Sequence, residues 1–473
     1  DFSPNHRLGF QYVCRLSNYN ECPEGKDISQ FKDRTEEKYI RRNNDVFRKI
    51  HSFTVEYNFK IKNHAIQFVQ DYATNNSNSD LDVTETPSTT NGMITKNKSD
   101  YKISTSLLKY NATIDKFNLI FWARYNYIYS NTLSSINTNR LVPTNVFDQN
   151  SIVKESSPIF YASLARSFKN LSFTAGLRYI YTFRNLRYKD NNSPESMVDV
   201  SQSSFIPYIT VKYSKDDFST YLLFTGNQAD PSFRQINSGM TYKDSLTYES
   251  SNANLLGSTS KTLRGGVTWK NLSLTVSYKH VKSPMVDVYF VDPNSENTMI
   301  LTPINLDKSQ ETRISLSYSK SFNKFEVYGE CEVSMPYSKY EFLGKECTAD
   351  FVAFNADLNL TYNLNKNISF YTSFSHQGHR TDLIITQRSV SKWDIGATAT
   401  FLNNRLNCRL EVNDILDKAH YNNVTLNYGQ TSYGTYGKND FRGVDLSVSY
   451  VIFSKPIKVR TERGNASVVD RTR

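Results

Sequence analysis

The chain has 473 residues, with 56 Lys and Arg against 46 Asp and Glu, and a formal net charge of +10. The positive charges are spread along the whole chain, a distribution that argues against a nucleic-acid-binding surface. Mean hydropathy is -0.55, and no apolar run approaches the roughly 18 residues that a membrane-spanning helix requires. Composition does not shift along the chain, so we expect one continuous domain over residues 1–453.

Apolar and polar residues alternate strictly in several segments. The clearest are residues 117–129, 272–279, 354–363 and 444–452. A period of two is the side-chain period of a β-strand. These segments hold their phase over about nine to thirteen residues, which is the length that a tilted strand needs to cross a bilayer. The pattern therefore predicts an all-β fold, a large antiparallel transmembrane β-barrel.

Short turns punctuate the strands at regular intervals. Three similar tetrapeptides begin at Lys169, Lys270 and Lys366, each between two alternating segments, and we expect their Asn residues to supply the positive φ of a tight turn. Nine turns are predicted in all, which implies about 18 strands. The turns lie near residues 4–5, 62–63, 115–116, 169–170, 215–216, 270–271, 323–324, 365–366 and 403–404.

Polar segments separate the strands on the opposite side of each turn. Loops of this length are uncommon in compact soluble domains but typical of the outer rim of a barrel. The predicted loops are residues 15–46, 75–99, 131–151, 186–201, 228–258, 282–306, 335–348, 378–389 and 415–440.

The cysteines are few for this length. Cys14 and Cys408 share the apolar phase of their strands, so we expect them to act as small hydrophobic residues. Cys331 and Cys347 bracket one outer loop, and a disulfide between them is possible in an exported protein.

The sequence predicts no catalytic or metal site. His376 and His379 are three residues apart, so in one strand they point to opposite faces, and a ligand pair would need the strand to end between them. The sequence motifs of nucleophilic hydrolases, zinc peptidases and nucleotide-binding loops are missing. We therefore expect no enzymatic activity and no cofactor.

Several motifs, in order, resemble a known family. They are residues 176–179 (Gly-Leu-Arg-Tyr), 230–237, 242–248, 251–255 and 413–417 (Asn-Asp-Ile-Leu-Asp). Together they resemble the TonB-dependent outer-membrane receptors, especially the "outer membrane protein beta-barrel" family. The resemblance covers essentially the whole chain.

The resemblance implies a barrel of 22 strands filled by an N-terminal plug, in the outer membrane of a Gram-negative bacterium. In this family a TonB box couples the inner-membrane proton-motive force to nutrient import. The chain begins at Asp1 without those parts, so we expect the C-terminal portion of such a barrel, with about 18 of 22 strands. A closed 18-stranded barrel is the alternative. Residues 454–473 are expected to form a basic, solvated periplasmic tail.

The leading functional hypothesis is an energy-coupled import barrel for a bulky nutrient, such as a siderophore, a glycan or a peptide. Its expected partners are outer-membrane lipid, the TonB complex through the N-terminal region, and a surface lipoprotein, and nucleic acid is not among them. Alternatives are a passive pore or scaffold, an enzyme in a barrel wall, and a soluble secreted adhesin. Aromatic and cationic residues of the outer loops are the ligand-binding candidates: Arg234, Tyr242, Tyr337, Tyr340, Phe342, His379, Arg380, Tyr421, Tyr428, Tyr433 and Tyr436.

Overall fold

The fold is almost entirely β-structure, with one four-residue helix among the described residues. The computed structural model describes residues 5–30, 35–86, 93–137, 148–189, 194–237, 239–244, 247–291, 298–342, 345–382, 385–419, 421–428, 431–438, 441–452 and 471.

The elements follow one another in chain order. The first half contains β1 (His6–Glu21), β2 (Glu24–Gln30), β3 (Thr35–Ile61), β4 (His64–Thr86), β5 (Met93–Ile114), β6 (Phe117–Asn137), β7 (Gln149–Ser167), β8 (Leu171–Lys189), β9 (Ser196–Lys215), β10 (Phe218–Ala229), α1 (Phe233–Ile236), β11 (Met240–Asp244) and β12 (Thr247–Ser250). The second half contains β13 (Ser258–Trp269), β14 (Leu272–Lys282), β15 (Met285–Val291), β16 (Met299–Asn305), β17 (Lys308–Phe322), β18 (Phe325–Phe342), β19 (Lys345–Ala349), β20 (Ala353–Asn363), β21 (Ile368–Gln377), β22 (Arg380–Asp382), β23 (Ile385–Gln387), β24 (Val390–Phe401), β25 (Leu406–Asn413), β26 (Tyr421–Tyr428), β27 (Thr431–Lys438) and β28 (Gly443–Tyr450).

The main sheet has 20 strands. Two of them, β2 and β19, only lengthen neighbouring hairpins at β3 and β18. The remaining strands pair antiparallel with their neighbours from β1 to β28, so the predicted all-β barrel of about 18 strands is confirmed. Within the described ranges β1 pairs only with β3 and β28 only with β25. The larger count of 22 stays a prediction.

The short turns lie where the sequence places them, from residues 62–63 to residues 402–405, and the turn at residues 4–5 falls at the edge of the described residues. The residue in the left-handed region differs from the expectation. In the tetrapeptide that begins at Lys270, the positive φ belongs to Lys270 (φ 52°) and not to the following Asn, so the prediction was wrong there. At two other short turns Asn323 (φ 54°) and Asn403 (φ 55°) do have a positive φ. In the last tetrapeptide the turn is closed by the side chain of Asn365, which accepts hydrogen bonds from Asn367 N and Ile368 N at 2.8 and 2.9 Å.

The alternation predicted from the sequence decides which side chains face outward. Leu272, Leu274 and Val276 are 43 to 44% exposed, whereas Ser277 on the other face is 8% exposed. The outward side chains form the apolar surface of a barrel wall, and the inward ones line the lumen.

Several strands are much longer than predicted. β1, β3, β4 and β5 extend through most of residues 15–46 and 75–99, and β6 to β9 extend through parts of 131–151 and 186–201. The prediction of loops there was wrong because these strand ends rise above the apolar band. Lipid does not require an apolar outer face at that height. In runs such as residues 75–79 both faces are polar, and the ladder hydrogen bonds hold the run in the sheet.

Long connections at the outer rim form two further sheets of four strands each. The first joins two connections, because β12 pairs in parallel with β16. The second joins β22 and β23 to β26 and β27. Among the described residues no helix is long and apolar enough to span a membrane.

Cys14, Cys331 and Cys408 lie on strands of the wall, and Cys22 lies between β1 and β2. All four have free thiols, and Cys331 is exposed on β18. Cys347 of β19 is opposite Tyr340 of β18. Tyr340 is about nine residues from Cys331 along β18, which is roughly 30 Å at the rise of a strand. A disulfide needs Cα atoms about 4.4 to 6.8 Å apart, so the possible Cys331–Cys347 bridge is ruled out by register.

Candidate functional site

The connection between β10 and β13, residues 230–257, folds into the barrel lumen. Its helix α1 begins with a capping box, in which Ser232 N donates to Gln235 Oε1 at 3.0 Å and Gln235 N donates to Ser232 Oγ at 3.4 Å. We call residues 230–257 the inserted segment. It contains three of the family motifs, so these motifs build a lumen-filling structure.

The inserted segment has its own apolar core against the lumen wall. Phe233, Ile236 and Leu255 are completely buried. Their neighbours are inward-facing wall residues of β3 to β8: Ile50, Ala73, Tyr101, Ile103, Ile128, Val153 and Leu186. Burial of three large side chains anchors the segment, since each contributes about 1.5 to 3 kcal/mol.

A second contact fixes the segment nearer the outer rim. Tyr242 is 2% exposed and its phenol donates to Glu85 Oε1 at 2.5 Å, while its ring meets Tyr248 edge-on at 5.5 Å between centroids. Lys38 Nζ is 3.9 Å from the other oxygen of Glu85. Tyr242 therefore packs the segment against β4.

A cavity of about 430 Å³ lies between the inserted segment and the inward faces of β1 and β3 to β7. Its volume is in the range of small-molecule sites. Eleven of its 23 lining residues have hydroxyl or amide side chains: Asn44, Ser77, Ser79, Asn97, Ser99, Thr132, Ser134, Gln149, Ser151, Asn237 and Thr241. Two tyrosines, Tyr19 and Tyr101, add aromatic surface.

The charged groups of this cavity come from both sides. Arg42 and Arg48 project from β3, and Arg234, Lys243 and Glu249 from the inserted segment. Arg42 Nε donates to the carbonyl oxygen of Lys243 at 3.3 Å. Arg48 Nε is buried and has no hydrogen-bond partner in the described part of the chain. Arg48 is half-buried, and its cationic guanidinium is a donor that suits an anionic group at this part of the wall.

Glu249 balances part of this positive charge. It binds Arg234, whose Nε donates to Oε1 at 2.8 Å, and Lys243, whose Nζ is 2.6 Å from Oε2. Burial alone would raise the pKa of the Glu249 carboxyl. The nearby cations Lys243 and Arg234 lower it by a larger amount, so the resulting pKa is below the ordinary value. Glu249 is therefore charged at neutral pH and holds both cations in place.

A deeper cluster lies beneath the segment. The carboxylate of Glu155, 1% exposed, accepts from Arg184 Nε at 3.3 Å and from Arg471 Nη1 at 2.6 Å. Arg471 also donates to the carbonyl of Pro231 at 3.1 Å, and its guanidinium lies 5.0 Å from the Phe233 ring centroid. Arg471 thus lies inside the barrel, unlike the solvated tail expected for residues 454–473. The division of the chain at residue 453 stays a prediction.

Five of the predicted ligand-binding residues have side chains that the structure describes, and these five do not share one site. Among them Arg234 alone lines the cavity, and Tyr242 is buried beside it. Tyr337 is exposed on β18, on the other half of the wall. The side chains of Tyr340, Phe342, Tyr421, Tyr428, Tyr433 and Tyr436 lie outside the described residues.

His379 and Arg380 belong to a separate place on the second half of the wall. The His379 ring meets Phe351 edge-on at 4.4 Å between centroids, and Arg380 Nε donates to Gln387 Oε1 at 2.6 Å. Arg380 borders a cavity of about 220 Å³ with three carboxylates, Glu330, Glu332 and Asp357. His376 donates to or accepts from Ser391 at 2.8 Å.

Sequence reasoning missed the cavity residues that belong to the wall. Tyr19, Arg42, Arg48 and Tyr101 lie in or beside segments that were predicted to be loops. Arg42, Asn44, Val46 and Arg48 are every second residue of β3 and therefore lie on one face of that strand. This spacing was the sequence feature that could have identified them. That signal becomes clear only when the strand is known to continue past the apolar band.

Comparisons with known proteins agree with this architecture. The family model "Outer membrane protein beta-barrel family" matches residues 57–450. No curated protein matches the sequence.

Three solved structures illustrate the similarity in fold. The ferric yersiniabactin uptake receptor FyuA from Yersinia pestis has 11% identity and a TM-score of 0.61, covering 95% of this chain and 71% of its own. The siderophore receptor PiuA from Acinetobacter baumannii has 11% identity and a TM-score of 0.57, covering 95% and 75%. The ferric preacinetobactin receptor BauA from Acinetobacter baumannii has 12% identity and a TM-score of 0.53, covering 94% and 72%. The expectation of an outer-membrane location and of a TonB-dependent-receptor-like barrel is confirmed, and the chain belongs to the outer membrane protein beta-barrel family.

Proposed function

We propose that this chain is the import barrel of a TonB-dependent receptor, which binds a bulky nutrient in the cavity between the inserted segment and the barrel wall and passes it inward with energy coupling. The observation that carries the proposal is the cavity itself. It has a volume of about 430 Å³, is lined in large part by hydroxyl and amide groups, and is bordered by cations from two sides.

The charges favour an anionic nutrient. Arg42, Arg48, Arg234 and Lys243 border the cavity, against Glu21 and Glu249. Glu249 is engaged with Arg234 and Lys243, so Arg48 on β3 is the cation that we assign to the ligand. Carboxylate, catecholate and hydroxamate groups on ferric siderophores fit such a wall. Of the similar structures, PiuA is named as a siderophore receptor and FyuA as a ferric yersiniabactin uptake receptor.

Energy coupling is the second half of the proposal. The inserted segment is anchored by a buried core and by Glu85, so a ligand in the cavity lies against a fixed segment. Passage inward requires that segment, or a plug beneath it, to move. In this class the TonB complex supplies the work, and a surface lipoprotein at the mouth is a further partner that we propose.

The test is uptake by living cells. A deletion strain expressing the full-length protein is given ⁵⁵Fe-labelled siderophores of carboxylate, catecholate and hydroxamate type, with and without a proton uncoupler. We expect uptake of at least one type that the uncoupler abolishes, and a loss of about tenfold or more in Arg48→Gln. Arg187→Gln, an exposed residue on the outer face of β8, is the matched control. An uptake rate that is the same with and without the uncoupler would instead indicate a passive pore.

A further inference from the structure

The outer face of the barrel carries a pocket that the import function does not use. It has a volume of about 330 Å³ and lies on β4, β5 and β6, lined by Tyr72, Lys102, Ile103, Ser104, Tyr127 and Tyr129. Tyr72 and Tyr127 are exposed, at 46% and 37%. Their strand neighbours Ala73 and Ile128 point into the lumen and are buried. By alternation the tyrosines therefore face away from the lumen, toward the membrane.

Two lysines flank one of these tyrosines in the register of the sheet. Lys102 of β5 is opposite Tyr129 of β6, and Tyr129 is opposite Lys154 of β7. Directly opposite residues of neighbouring strands lie on the same face of a sheet, so all three point outward. The lysines are two strand spacings apart, about 9.6 Å between backbones, which their flexible side chains can bridge around one anion. Lys102 Nζ is 5.9 Å from the centroid of the Tyr129 ring.

Neither lysine has an acidic partner within the described ranges. Both side chains are exposed. The acid nearest in sequence to Lys102, Asp100, accepts a hydrogen bond from Asn76 Nδ2 at 2.5 Å. Opposite Lys154, Asn185 donates to Asp199 at 2.7 Å. Two positive charges therefore remain available beside an aromatic pocket.

The height of this pocket in the membrane follows from the strand lengths. Lys102, Tyr129 and Lys154 each lie about 12 residues from the short-turn end of their strand, at Ile114, Phe117 and Arg166. With a rise of about 3.3 Å per residue and a tilt of about 40°, this is roughly 30 Å above the inner edge. The apolar band of such barrels is about 25 Å tall, so the pocket lies just above it, on the side of the long connections.

The outward side chains of β5 show the same boundary. Ile114, Ala112, Tyr110 and Leu108 form the apolar part, and Ser106, Ser104 and Lys102 follow. At this level lipid headgroups replace acyl chains, and tyrosine rings and lysine ammonium groups are the side chains that suit the interface.

We propose that Lys102 and Lys154, with the pocket of Tyr72, Tyr127 and Tyr129 between β4 and β7, bind a phosphate-bearing glycolipid of the outer leaflet. The ammonium groups bind the phosphate as point charges. The tyrosine rings pack against the sugar and the first carbons of the acyl chains. The site holds a lipid against the outside of the wall and is independent of the import cavity.

Native mass spectrometry of the purified protein in detergent tests the proposal. The probes are bisphosphorylated lipid A and lipid A from which both phosphates have been removed. We expect the protein to retain the bisphosphorylated form about tenfold more than the dephosphorylated form. Lys102→Ala with Lys154→Ala should remove that difference, and Lys102→Arg with Lys154→Arg should keep it.

Lys189→Ala is the matched control, because Lys189 is an exposed lysine on the outer face of β8, well above the pocket. It should bind like the unmodified protein. Heat-modifiable migration on a gel confirms that every variant is folded. Equal retention of both lipid forms, or undiminished binding by the double alanine variant, would overturn the proposal. So would displacement of the lipid by an equal concentration of inorganic phosphate, which would indicate a site for free anions.

Discussion

The phenol of Tyr242 donates a hydrogen bond to Glu85 Oε1 at 2.5 Å and so joins the inserted segment to the outer part of β4. Both residues are buried, and the second oxygen of Glu85 lies 3.9 Å from Lys38 Nζ, beyond hydrogen-bond distance. The contact between Tyr242 and Glu85 decides how firmly the upper half of the segment is held in the lumen.

Tyr242→Phe should loosen that half of the segment. The change leaves one carboxylate oxygen without its donor, at a cost of about 1 to 3 kcal/mol. Hydrogen exchange of residues 240–250 should become faster, while exchange in β13 and β14 stays the same. Tyr125→Phe, at a residue exposed on the outer face, is the control. Equal exchange in Tyr242→Phe and the unmodified protein would show that the hydrogen bond carries no stability.

Phe233→Ala should release the segment altogether. Phe233 is completely buried in the lumen core, and truncation of a buried phenylalanine costs about 3 to 5 kcal/mol. We expect trypsin to cut after Arg234 and Lys243 in the variant but not in the unmodified protein. The barrel itself should survive, since its ladders are untouched. Leu274→Ala, on the lipid face, should leave both sites protected.

Gly378→Ala should distort the outer end of the β20–β21 hairpin. A Cβ at this position would lie 2.4 Å from the carbonyl oxygen of Phe354 and 2.9 Å from its nitrogen. Backbone atoms cannot move aside as a side chain does, so we expect a loss of about 1 to 3 kcal/mol, measured by urea unfolding in detergent. Gly443→Ala is the control, because a Cβ added there would meet no atom within 4 Å among the described residues. A midpoint for Gly378→Ala equal to that of Gly443→Ala would refute the clash.

The ion-pair cluster around Glu249 predicts a dependence on pH. Because the pKa of Glu249 is lowered in the folded chain, its contribution to stability is fully present above the ordinary glutamate pKa of about 4.3 and is lost as pH falls through the lower folded value. Exchange of residues 247–250 should therefore be constant from pH 8 to 6 after correction for intrinsic rates, and rise in acid. Glu249→Gln should show faster exchange at neutral pH and no acid step. An acid step of the same size in Glu249→Gln would assign it to another group.

The sequence was sufficient to place the turns and to orient the strands inside the apolar band. There, one face must be apolar because lipid covers it, and residues such as Leu274 and Ser277 reveal their faces by chemistry alone. Above the band no lipid covers the wall, so neither face has to be apolar. Along residues 75–79 both faces are polar, and these residues give no local sign that they belong to a strand.

The lumen core was hidden for a related reason. Ile103, Ile128 and Val153 lie on the strand face that the alternation predicts to be solvated in the lumen. Each of them is completely or almost completely buried. Their burial is explained by Phe233, Ile236 and Leu255, which are about 80 to 150 residues away in sequence. Only the fold of the inserted segment brings these groups together, and alternation within one strand cannot report it.

Two mouth connections share a short parallel ladder, in which Tyr248 of β12 is opposite Ile300 of β16. The ladder joins residues 298–305 to the inserted segment through backbone hydrogen bonds, so a displacement of one connection strains the other. A molecule that binds residues 298–305 therefore acts on the position of the inserted segment without entering the cavity.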